Sequence, residues 1–452
     1  MFLKWKWKWK WKWKLEMEME MEMEMEMEMI NRNVKTNGTP FRGRVVWTPF
    51  PRVSMTRRGE DMIYLDDIII MNMPIGRFAS LFRRGLATPS YANSVTELIG
   101  KTPMVRLRRV VQDVSPSTKV LLKLEMQNPG GSVKDRIALS MIEAAEKRGE
   151  ISPDRTTIVE ATSGNTGIGL AMVAAAKGYK MIVVMPQVPS MFERYILVRK
   201  FGGQVHLTSV MKDDFRKTID NMIQYSKDLC EKNQNYWSPT QFETDDNPLA
   251  HLTTTGPEIW EQTGESIDCF VAGAGTGGTL NGVGQFLKEK NPSCRVVCVE
   301  PTEARVLVGN PSAMHGVVGI GANIKLPLIE KLAPGQAWKE GPRGCIDEFL
   351  HASTPEAVMW ANRVSAEEGL LVGPSSGAAI KVGIDIAKRP EMKGKTIVIL
   401  QASSAIRYVS HPMWEPQRLE GAAALPVPPD LETEIPIVRW RSESYMPPPK
   451  SS

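Results

Sequence analysis

Three short turns rich in glycine, serine and threonine constrain this 452-residue sequence more than any other feature. They occupy residues 128–136, 160–167 and 273–279, and each follows a short β-branched run and precedes a helical pattern. A strand that ends in such a turn and continues into a helix is typical of a wound α/β fold. Ligands of these folds bind at the carboxyl ends of the strands, so we expect the chemistry to lie in the three turns.

The body of the chain, residues 94–414, alternates strand-like and helical patterns throughout. Short apolar runs predict strands at residues 120–124, 157–159, 181–185, 269–271, 296–299 and 396–400. Helical spacing predicts helices at residues 137–147, 167–176, 213–232, 280–290, 355–368 and 377–387. This alternation predicts an α/β fold with mostly parallel strands and crossover helices.

Charge and cysteine content argue against several classes of partner. The net charge is only +5 and no long basic patch interrupts the middle of the chain, so we do not expect nucleic acid as a main partner. No apolar run is long enough to span a bilayer, and we assign no metal site. Small anionic ligands remain open. The five cysteines form no CxxC pair, which favours reduced, buried thiols: Cys230, Cys269, Cys294, Cys298 and Cys345.

The first 70 residues do not resemble a folded domain. Lysine alternates with tryptophan over residues 4–14, and glutamate alternates with methionine over residues 16–29. This period also permits a hairpin paired through lysine and glutamate, although neither a turn signal nor register control is present. We interpret residues 1–70 as a low-complexity extension that is spurious or disordered.

Residues 71–93 have a different composition, with Arg77, Arg83 and Arg84 among serine, alanine and leucine and no acid before residue 89. This is typical of an organelle transit peptide, and it predicts a mitochondrial location, with plastid or cytoplasm as alternatives. A disordered basic linker is the other explanation, and translation that starts at Met71 or Met73 would make the preceding residues spurious. Residues 415–452 are interpreted as a proline-rich tail.

The first turn contains a lysine at the start of a predicted helix. Ser132 and Asp135 have the spacing of a helix-capping pair, which places Lys134 in the first helical turn. There the positive end of the helix dipole disfavours an ammonium and helps to keep an amine available to form an imine. Taken alone, a surface lysine at a helix start is the more ordinary explanation.

The second turn has the properties of an anion site. Its backbone N–H groups and hydroxyls lie between a strand and a helix of small residues, where they would suit a carboxylate. Plain helix capping by Ser163 or Thr166 explains this segment equally well.

The third turn has glycines where a phosphate would approach the backbone. Gly273, Gly275 and Gly278 also satisfy the G-x-G-x-x-G of a dinucleotide site, and Glu300 lies at the end of the next strand, where a ribose-binding acid is expected. This turn alone leaves a phosphate cup and an NAD site open.

Taken together, the motifs resemble the cysteine synthase branch of the fold-type II pyridoxal-phosphate (PLP) enzymes, a branch that also includes cystathionine β-synthases and cyanoalanine synthases. The matching segments are residues 95–103, 132–136, 162–167, 254–260, 275–279, 319–322 and 375–379, in unbroken order. The combination decides the third turn in favour of a phosphate cup. The resemblance implies two α/β subdomains, a homodimer and an association with serine acetyltransferase.

The resemblance also implies roles for single residues. Lys134 would bind PLP as an imine and act as the general base, while Ser375 would face the pyridine nitrogen. A hydroxyl cannot keep that nitrogen protonated as a carboxylate would, and the weaker electron sink suits elimination from Cβ. The implied phosphate cup is Gly275, Thr276, Gly277, Gly278 and Thr279. The implied substrate-carboxylate site is Thr162, Ser163, Asn165 and Thr166 with Gln241, and Asn165 would also bind the ring hydroxyl of the cofactor.

The implied reaction is β-replacement of the acetate of O-acetylserine by sulfide to give cysteine. Three segments depart from the family pattern, at residues 241–244, 324–325 and 401–408. They leave the preferred nucleophile open, so a cyanoalanine synthase or a cystathionine β-synthase remains an alternative. Residues 128–131 and 168–171 favour the latter, whereas no haem-ligating segment is evident. A non-catalytic binding subunit is the third possibility, and the presence of Lys134 argues against it.

Overall fold

The computed structural model describes residues 91–424, apart from 189–190, 212–214 and 340, together with the backbone of four short strands nearer the amino terminus. The chain divides into two units, Met1–Tyr91 and Ala92–Ser452. In the first, two antiparallel pairs are formed by β1 (Arg44–Val46) with β2 (Ser54–Thr56) and by β3 (Ile63–Leu65) with β4 (Ile68–Ile70). Three segments lie outside the described residues: the repeats at residues 4–29, residues 71–90 of the predicted transit peptide (71–93), and residues 425–452.

The second unit contains two sheets. A six-stranded sheet has the order β13-β12-β11-β14-β6-β5, and a four-stranded sheet has the order β10-β7-β8-β9. All neighbours are parallel except β5 and β6. The strands of the larger sheet are β5 (Met104–Arg106), β6 (Lys119–Leu124), β11 (Cys269–Gly273), β12 (Arg295–Pro301), β13 (Glu348–Ala352) and β14 (Thr396–Gln401). Those of the smaller sheet are β7 (Thr157–Ala161), β8 (Lys180–Pro186), β9 (Gln204–Thr208) and β10 (Tyr236–Trp237).

Helices cover both sheets. They are α1 (Lys134–Lys147), α2 (Asn165–Lys177), α3 (Phe192–Lys200), α4 (Phe215–Lys232), α5 (Asp246–Ala250), α6 (Gly256–Gln262), α7 (Gly278–Lys290), α8 (Pro327–Glu330), α9 (Thr354–Glu368), α10 (Pro374–Ala387) and α11 (Glu415–Ala424). A π-helical turn, His251–Thr255, joins α5 to α6. The first ten residues of the predicted tail thus form a helix. Among the described helices, none is both long and apolar enough to cross a membrane.

The cores explain why the central strands are mainly apolar. Val271 of β11 packs in a cluster with α10, whereas Phe270 beside it packs in a second cluster with α7 on the other face of the sheet. Successive side chains of a strand point to opposite faces, so a strand covered by helices on both faces needs an unbroken apolar run. The smaller sheet repeats this arrangement, with Val183 in a cluster with α1 and α2 and Val184 in a cluster with Met222 of α4.

The predicted α/β class and all six predicted strands are confirmed, with ends that differ by at most two residues. The sequence analysis predicted none of β1 to β4 in the first unit, and in the second unit it missed four strands, namely β5, β9, β10 and β13. All four are edge strands. The predicted helices are present too, although α1, α2, α7 and α10 begin two or three residues earlier than expected and α4 begins two residues later.

Candidate active site

Lys134 is the first residue of α1 and lines a cleft at the carboxyl ends of the larger sheet. The cleft contains about 420 Å³ of space outside the protein atoms, part of it open to solvent. The amide of Val133 donates to the carbonyl of Ala402 over 2.9 Å, which fastens the lysine turn to the segment that follows β14. The cleft is lined by Val133, Lys134, Gly273, Gly275, Thr276, Gly277, Thr279, Leu280, Gly319, Ile320, Ser375, Leu400 and Ala402.

The amine of Lys134 is unusually easy to deprotonate. Burial lowers the pKa of Lys134 to about 8, and the negative charge of Glu125 opposes this shift. Lys134 lies in the first turn of α1, as its position between Ser132 and Asp135 predicted, but removal of the ammonium from water is the main cause of the shift. A large fraction of the amine is therefore neutral, and nucleophilic, slightly above neutral pH.

The predicted capping pair of α1 takes a different form in the structure. The hydroxyl of Ser132 accepts from the amide of Lys134 at 3.3 Å, and the carboxylate of Asp135 accepts from the amide of Gly130 at 2.6 Å. The two side chains thus bond different parts of the same turn instead of capping each other. Burial raises the pKa of Asp135 to about 7. The result is a rigid turn immediately before the lysine.

The second turn leads into α2, which begins at Asn165. Its N-cap is Gly164, which has no side chain, and the amide of Gly164 donates to the hydroxyl of Thr162 at 3.2 Å, so capping by Ser163 or Thr166 does not account for this turn. Thr166 instead donates its hydroxyl hydrogen to Oε1 of Gln241 over 2.6 Å. The N–H groups of the first helical turn lie at the positive end of the helix dipole, where anions bind.

Glu160, which the sequence analysis did not assign, holds the loop that carries Gln241. Its buried carboxylate accepts from the hydroxyl of Ser238 and from the amides of Thr240 and Gln241, each over 3.2 Å. Thr240 has a φ of +50°, a left-handed conformation that is costly for a threonine. The three bonds offset that cost. Burial raises the pKa of Glu160 to about 7.

The glycines of the third turn are required for different reasons. A Cβ on Gly275 would lie 2.9 Å from the carbonyl oxygen of Gly319 and 3.8 Å from Nζ of Lys134. Gly277 has a φ of +89°, and a Cβ on Gly278 would lie 1.9 Å from Oδ1 of Asn247. Gly275 is therefore small because the carbonyl of Gly319 approaches it closely, with the lysine amine at ordinary contact distance, whereas Gly278 is small because of packing behind the turn.

Ser375 and Gly319 face each other in the cleft, and Tyr408 lies beside them. A Cβ on Gly319 would lie 3.3 Å from Oγ of Ser375 and 3.8 Å from the hydroxyl of Tyr408. Tyr408 is 2% exposed and contacts both Nδ2 of Asn165 and the hydroxyl of Ser403, each at 2.9 Å. The sequence analysis missed Tyr408 as a site residue, because its distance of 243 positions from Asn165 leaves no local signal.

The dinucleotide alternative has no support in the position of Glu300. One oxygen of this buried carboxylate accepts from the amide of Leu307 at 2.9 Å, within its own loop. A ribose-binding acid must instead point toward the ligand. The structure thus explains Glu300 as a residue that holds the segment after β12.

The three unusual segments lie at different distances from the cleft. Of their residues, Ala402 lines the cleft, whereas Phe242 and Ile324 pack against the hydrophobic core. Lys325 is exposed and lines a second cavity. Residues 401–408 are thus the departure that contacts the lysine turn directly.

The sequence profile of the family described as pyridoxal-phosphate dependent enzyme matches residues 95–402. A cysteine synthase of Staphylococcus aureus is 44% identical over 323 residues, which are 71% of this chain and 97% of that protein. The O-acetylserine sulfhydrylase isoform 3 of Entamoeba histolytica has a similar structure, with a TM-score of 0.65 and 37% identity over 73% of this chain and 94% of that one. An O-acetylserine dependent cystathionine β-synthase of Helicobacter pylori is also similar, with a TM-score of 0.65 and 34% identity. The match covers 72% of this chain and 100% of that one.

Proposed function

Because this chain belongs to the family of pyridoxal-phosphate dependent enzymes, we propose that it is a cysteine synthase that replaces the acetate of O-acetylserine by sulfide. The observation that carries the proposal is the 44% identity over almost the whole length of a cysteine synthase. The cleft around Lys134 supplies the matching chemistry, since a depressed lysine pKa and a hydroxyl-lined glycine turn occur in one site.

The residues of the cleft fit PLP. Oδ1 of Asn165 is buried and has no hydrogen-bond partner among the described residues, which leaves it available to a ligand. The glycine turn offers the hydroxyls of Thr276 and Thr279 to a phosphate. We assign the phosphate to Gly275, Thr276, Gly277, Gly278 and Thr279, the ring to Asn165 and Ser375, and the aldehyde to Lys134. All of these residues except Gly278 and Asn165 line the cleft.

Bound PLP supplies an electron sink that acidifies the α-proton of an amino acid joined to it. Nζ of Lys134 removes that proton and later returns it, a role that requires the neutral amine. The carboxylate of the substrate binds the first turn of α2, at Thr162, Ser163, Asn165 and Thr166, together with Gln241. The bond from Thr166 fixes Oε1 of Gln241, and Glu160 fixes the backbone of the same residue.

In the proposed reaction the Cβ–O bond of O-acetylserine breaks and acetate leaves with the electron pair. A sulfide anion then forms the new Cβ–S bond, and the proton held at Nζ of Lys134 returns to Cα. Cysteine and acetate are the products, and no oxidant or reductant is needed.

The proposal is tested by offering the purified full chain O-acetylserine with sulfide, cyanide or homocysteine in separate reactions. We expect a yellow protein whose kcat/KM is highest with sulfide, and borohydride should bleach the colour and label Lys134. A protein that does not take up PLP, or that replaces acetate with none of the three nucleophiles, contradicts the proposal.

A second candidate is cystathionine formation from O-acetylserine. It is supported by the likeness to the Helicobacter pylori enzyme and by the motif at residues 128–131. A kcat/KM that is higher with homocysteine than with sulfide would favour this activity.

The remaining proposals concern location and assembly. We propose that the chain is a mitochondrial homodimer that associates with serine acetyltransferase, with residues 71–93 as the targeting segment, 94–414 as the catalytic domain of two subdomains, and 1–70 and 415–452 as non-catalytic ends. The arginine-rich composition of residues 71–93 supports the location. A fluorescent reporter fused to these residues should enter mitochondria, and a diffuse cytosolic signal contradicts the targeting.

A further inference from the structure

Asn247 and His251 are two buried polar residues that contact the glycine turn without lining the cleft. Asn247 is 0% exposed and His251 is 1% exposed. They are four positions apart, Asn247 in α5 and His251 at the start of the π-helical turn. Each contacts the hydroxyl of one of the two threonines that line the cleft, Thr276 and Thr279. The reaction proposed above uses neither residue.

The contacts of Asn247 determine which way the Thr276 hydroxyl points. Nδ2 of Asn247 donates to the carbonyl oxygen of Gln241 at 2.7 Å and to Oγ1 of Thr276 at 3.0 Å. A carbonyl can only accept, so the atom facing Gln241 must be the amide nitrogen. Oγ1 of Thr276 also accepts from the amide of Gly278 at 3.4 Å. With two donors behind it, the hydroxyl hydrogen of Thr276 is free to point into the cleft.

His251 acts on Thr279 in the same way. Nδ1 of His251 lies 2.9 Å from the hydroxyl of Thr255, and Nε2 lies 3.2 Å from the hydroxyl of Thr279. Burial holds the pKa of His251 well below its usual value, so the ring is neutral. Among the described residues the Thr255 hydroxyl has no other acceptor within reach, so its buried hydrogen is satisfied only if it donates to Nδ1. In that tautomer Nε2 carries the ring hydrogen and donates to Thr279, which leaves the Thr279 hydrogen for the cleft.

We propose that Asn247 and His251 are positioning residues that hold the hydroxyls of Thr276 and Thr279 as hydrogen-bond donors to the phosphate of the cofactor. The inference rests on the proposed function, because it needs a phosphate in the glycine turn. All the oxygens of a phosphate dianion accept, so a hydroxyl that donated backward would present its lone pairs to the ligand. Asn247 also binds the backbone of Gln241, which ties the phosphate turn to the loop proposed to hold the substrate carboxylate.

Two glycines of α7 make this arrangement possible. A Cβ on Gly278 would lie 1.9 Å from Oδ1 of Asn247, and a Cβ on Gly282, one turn later, would lie 2.1 Å from the carbonyl oxygen of Pro248. Such distances exclude a side chain. The glycines at these two positions therefore let the Asn247–His251 segment approach α7 closely.

The test is Asn247→Asp in the full chain, with PLP and pyridoxal as probes. An aspartate has almost the same shape, but it can only accept, so it turns the Thr276 hydrogen away from the cleft. We expect the Kd of PLP for the apo-protein to rise about 10- to 100-fold, the loss typical of one hydrogen bond to a charged group. The Kd of pyridoxal, which lacks the phosphate, should not change. The matched control is Asn323→Asp, another buried asparagine that donates to a carbonyl, that of Ala313, but whose hydrogen bonds among the described residues are to Ala313 and not to the glycine turn.

A double-mutant cycle then identifies the path of the effect. After Thr276→Val, the further change Asn247→Asp should alter the Kd of PLP little, because the hydroxyl it orients is gone. An unchanged ratio of PLP to pyridoxal affinity in Asn247→Asp, with wild-type protein that binds PLP, overturns this inference and leaves the proposed function intact. Wild-type protein that binds no PLP overturns both.

A second measurement does not depend on whether the aspartate variant folds. The ¹⁵N shifts of histidine in the wild-type apo-protein report which ring nitrogen carries the hydrogen, and the His251 signal is identified from single variants of the other four histidines. We expect a neutral ring with hydrogen on Nε2. Hydrogen on Nδ1, or a charged ring at neutral pH, overturns the role of His251.

Discussion

The hydroxyl of Tyr408 lies 2.9 Å from Nδ2 of Asn165, and so joins the segment after β14 to the first residue of α2. Tyr408 belongs to residues 401–408, which depart from the family pattern, and the guanidinium of Arg194 lies 4.9 Å above its ring. Residues 401–408 therefore include a side chain that orients Asn165, although the segment departs from the family pattern. Asn165 is the residue assigned to the cofactor ring and the substrate carboxylate.

Replacing Tyr408 by phenylalanine should lower kcat with little change in PLP affinity. The ring still packs, but Asn165 loses one fixed partner, a loss of about 1 kcal/mol or roughly five- to tenfold in rate. Steady-state kinetics with O-acetylserine and sulfide measure it. Ser403→Ala is the matched control, since it removes the other partner of the same hydroxyl. Full activity in Tyr408→Phe contradicts the role of Tyr408.

Lys134→Ala should bind PLP through the phosphate turn and lose turnover by several orders of magnitude, because imine exchange and proton transfer both need the amine. In the wild-type apo-protein, imine formation with PLP should speed up as pH rises through about 8, the value to which burial lowers the pKa of Lys134. The rate should increase with pH, and not decrease, because the deprotonated amine is the reactive form. Stopped-flow absorbance between pH 6 and 10 checks this, and a rate independent of pH across that range contradicts the assignment.

Ser375→Asp tests the position assigned to Ser375. A carboxylate beside the pyridine nitrogen would favour its protonation and deepen the electron sink, so β-replacement should slow and transamination products should increase. Ser375→Ala removes the hydroxyl without adding charge and should cost on the order of 1–3 kcal/mol in transition-state stabilisation. Product analysis distinguishes the two. If Ser375→Asp keeps full activity and makes no side product, Ser375 does not face that nitrogen.

Glu160→Gln should change the response of stability to pH. Burial raises the pKa of Glu160 in the folded protein to about 7, above its ordinary value. The folded state therefore binds the proton more tightly, and the stabilisation from Glu160 is complete below its ordinary pKa and lost as pH rises through about 7. The difference in Tm between wild type and Glu160→Gln, measured by calorimetry, should therefore become smaller as the pH is raised from 5 to 8. A constant difference argues against a raised pKa.

The same variant should raise the KM for O-acetylserine more than it lowers kcat. A glutamine cannot accept from both the Thr240 and Gln241 amides, because only one of its two terminal atoms is an acceptor. The Gln241 loop then loses part of its support, and Gln241 is assigned to the substrate carboxylate.

Lys123→Met should destabilise the protein by about 3–5 kcal/mol, because it leaves part of a buried charge network unpaired. The ammonium of Lys123 is 0% exposed and lies 2.7 Å from Glu258, which also pairs with Arg136 of α1. Lys395→Met is the control, since the exposed pair with Asp268 should contribute less than about 1 kcal/mol. Urea unfolding measures both. Equal losses would mean that burial of the network does not set its contribution.

Much of the fold follows from the sequence because burial leaves a local pattern. The interior strands are covered on both faces and are therefore mainly apolar, which marks them directly, as in β8 and β14. The four strands that were missed are edges, and β9 even exposes Leu207. An edge strand has only one neighbouring strand and is only partly covered by helices, so its sequence does not need a continuous apolar run.

The sequence alone likewise determined the three turns and Lys134, because glycine, hydroxyl and lysine at fixed short spacings carry their chemistry locally. What supports these groups was decided by the tertiary structure. Tyr408, Glu160 and Asn247 bond site residues that lie 243, 81 and 29 positions away along the chain. Their roles depend on distances near 3 Å and on which atom can donate, and such relationships exist only once the two sheets and their helices have packed.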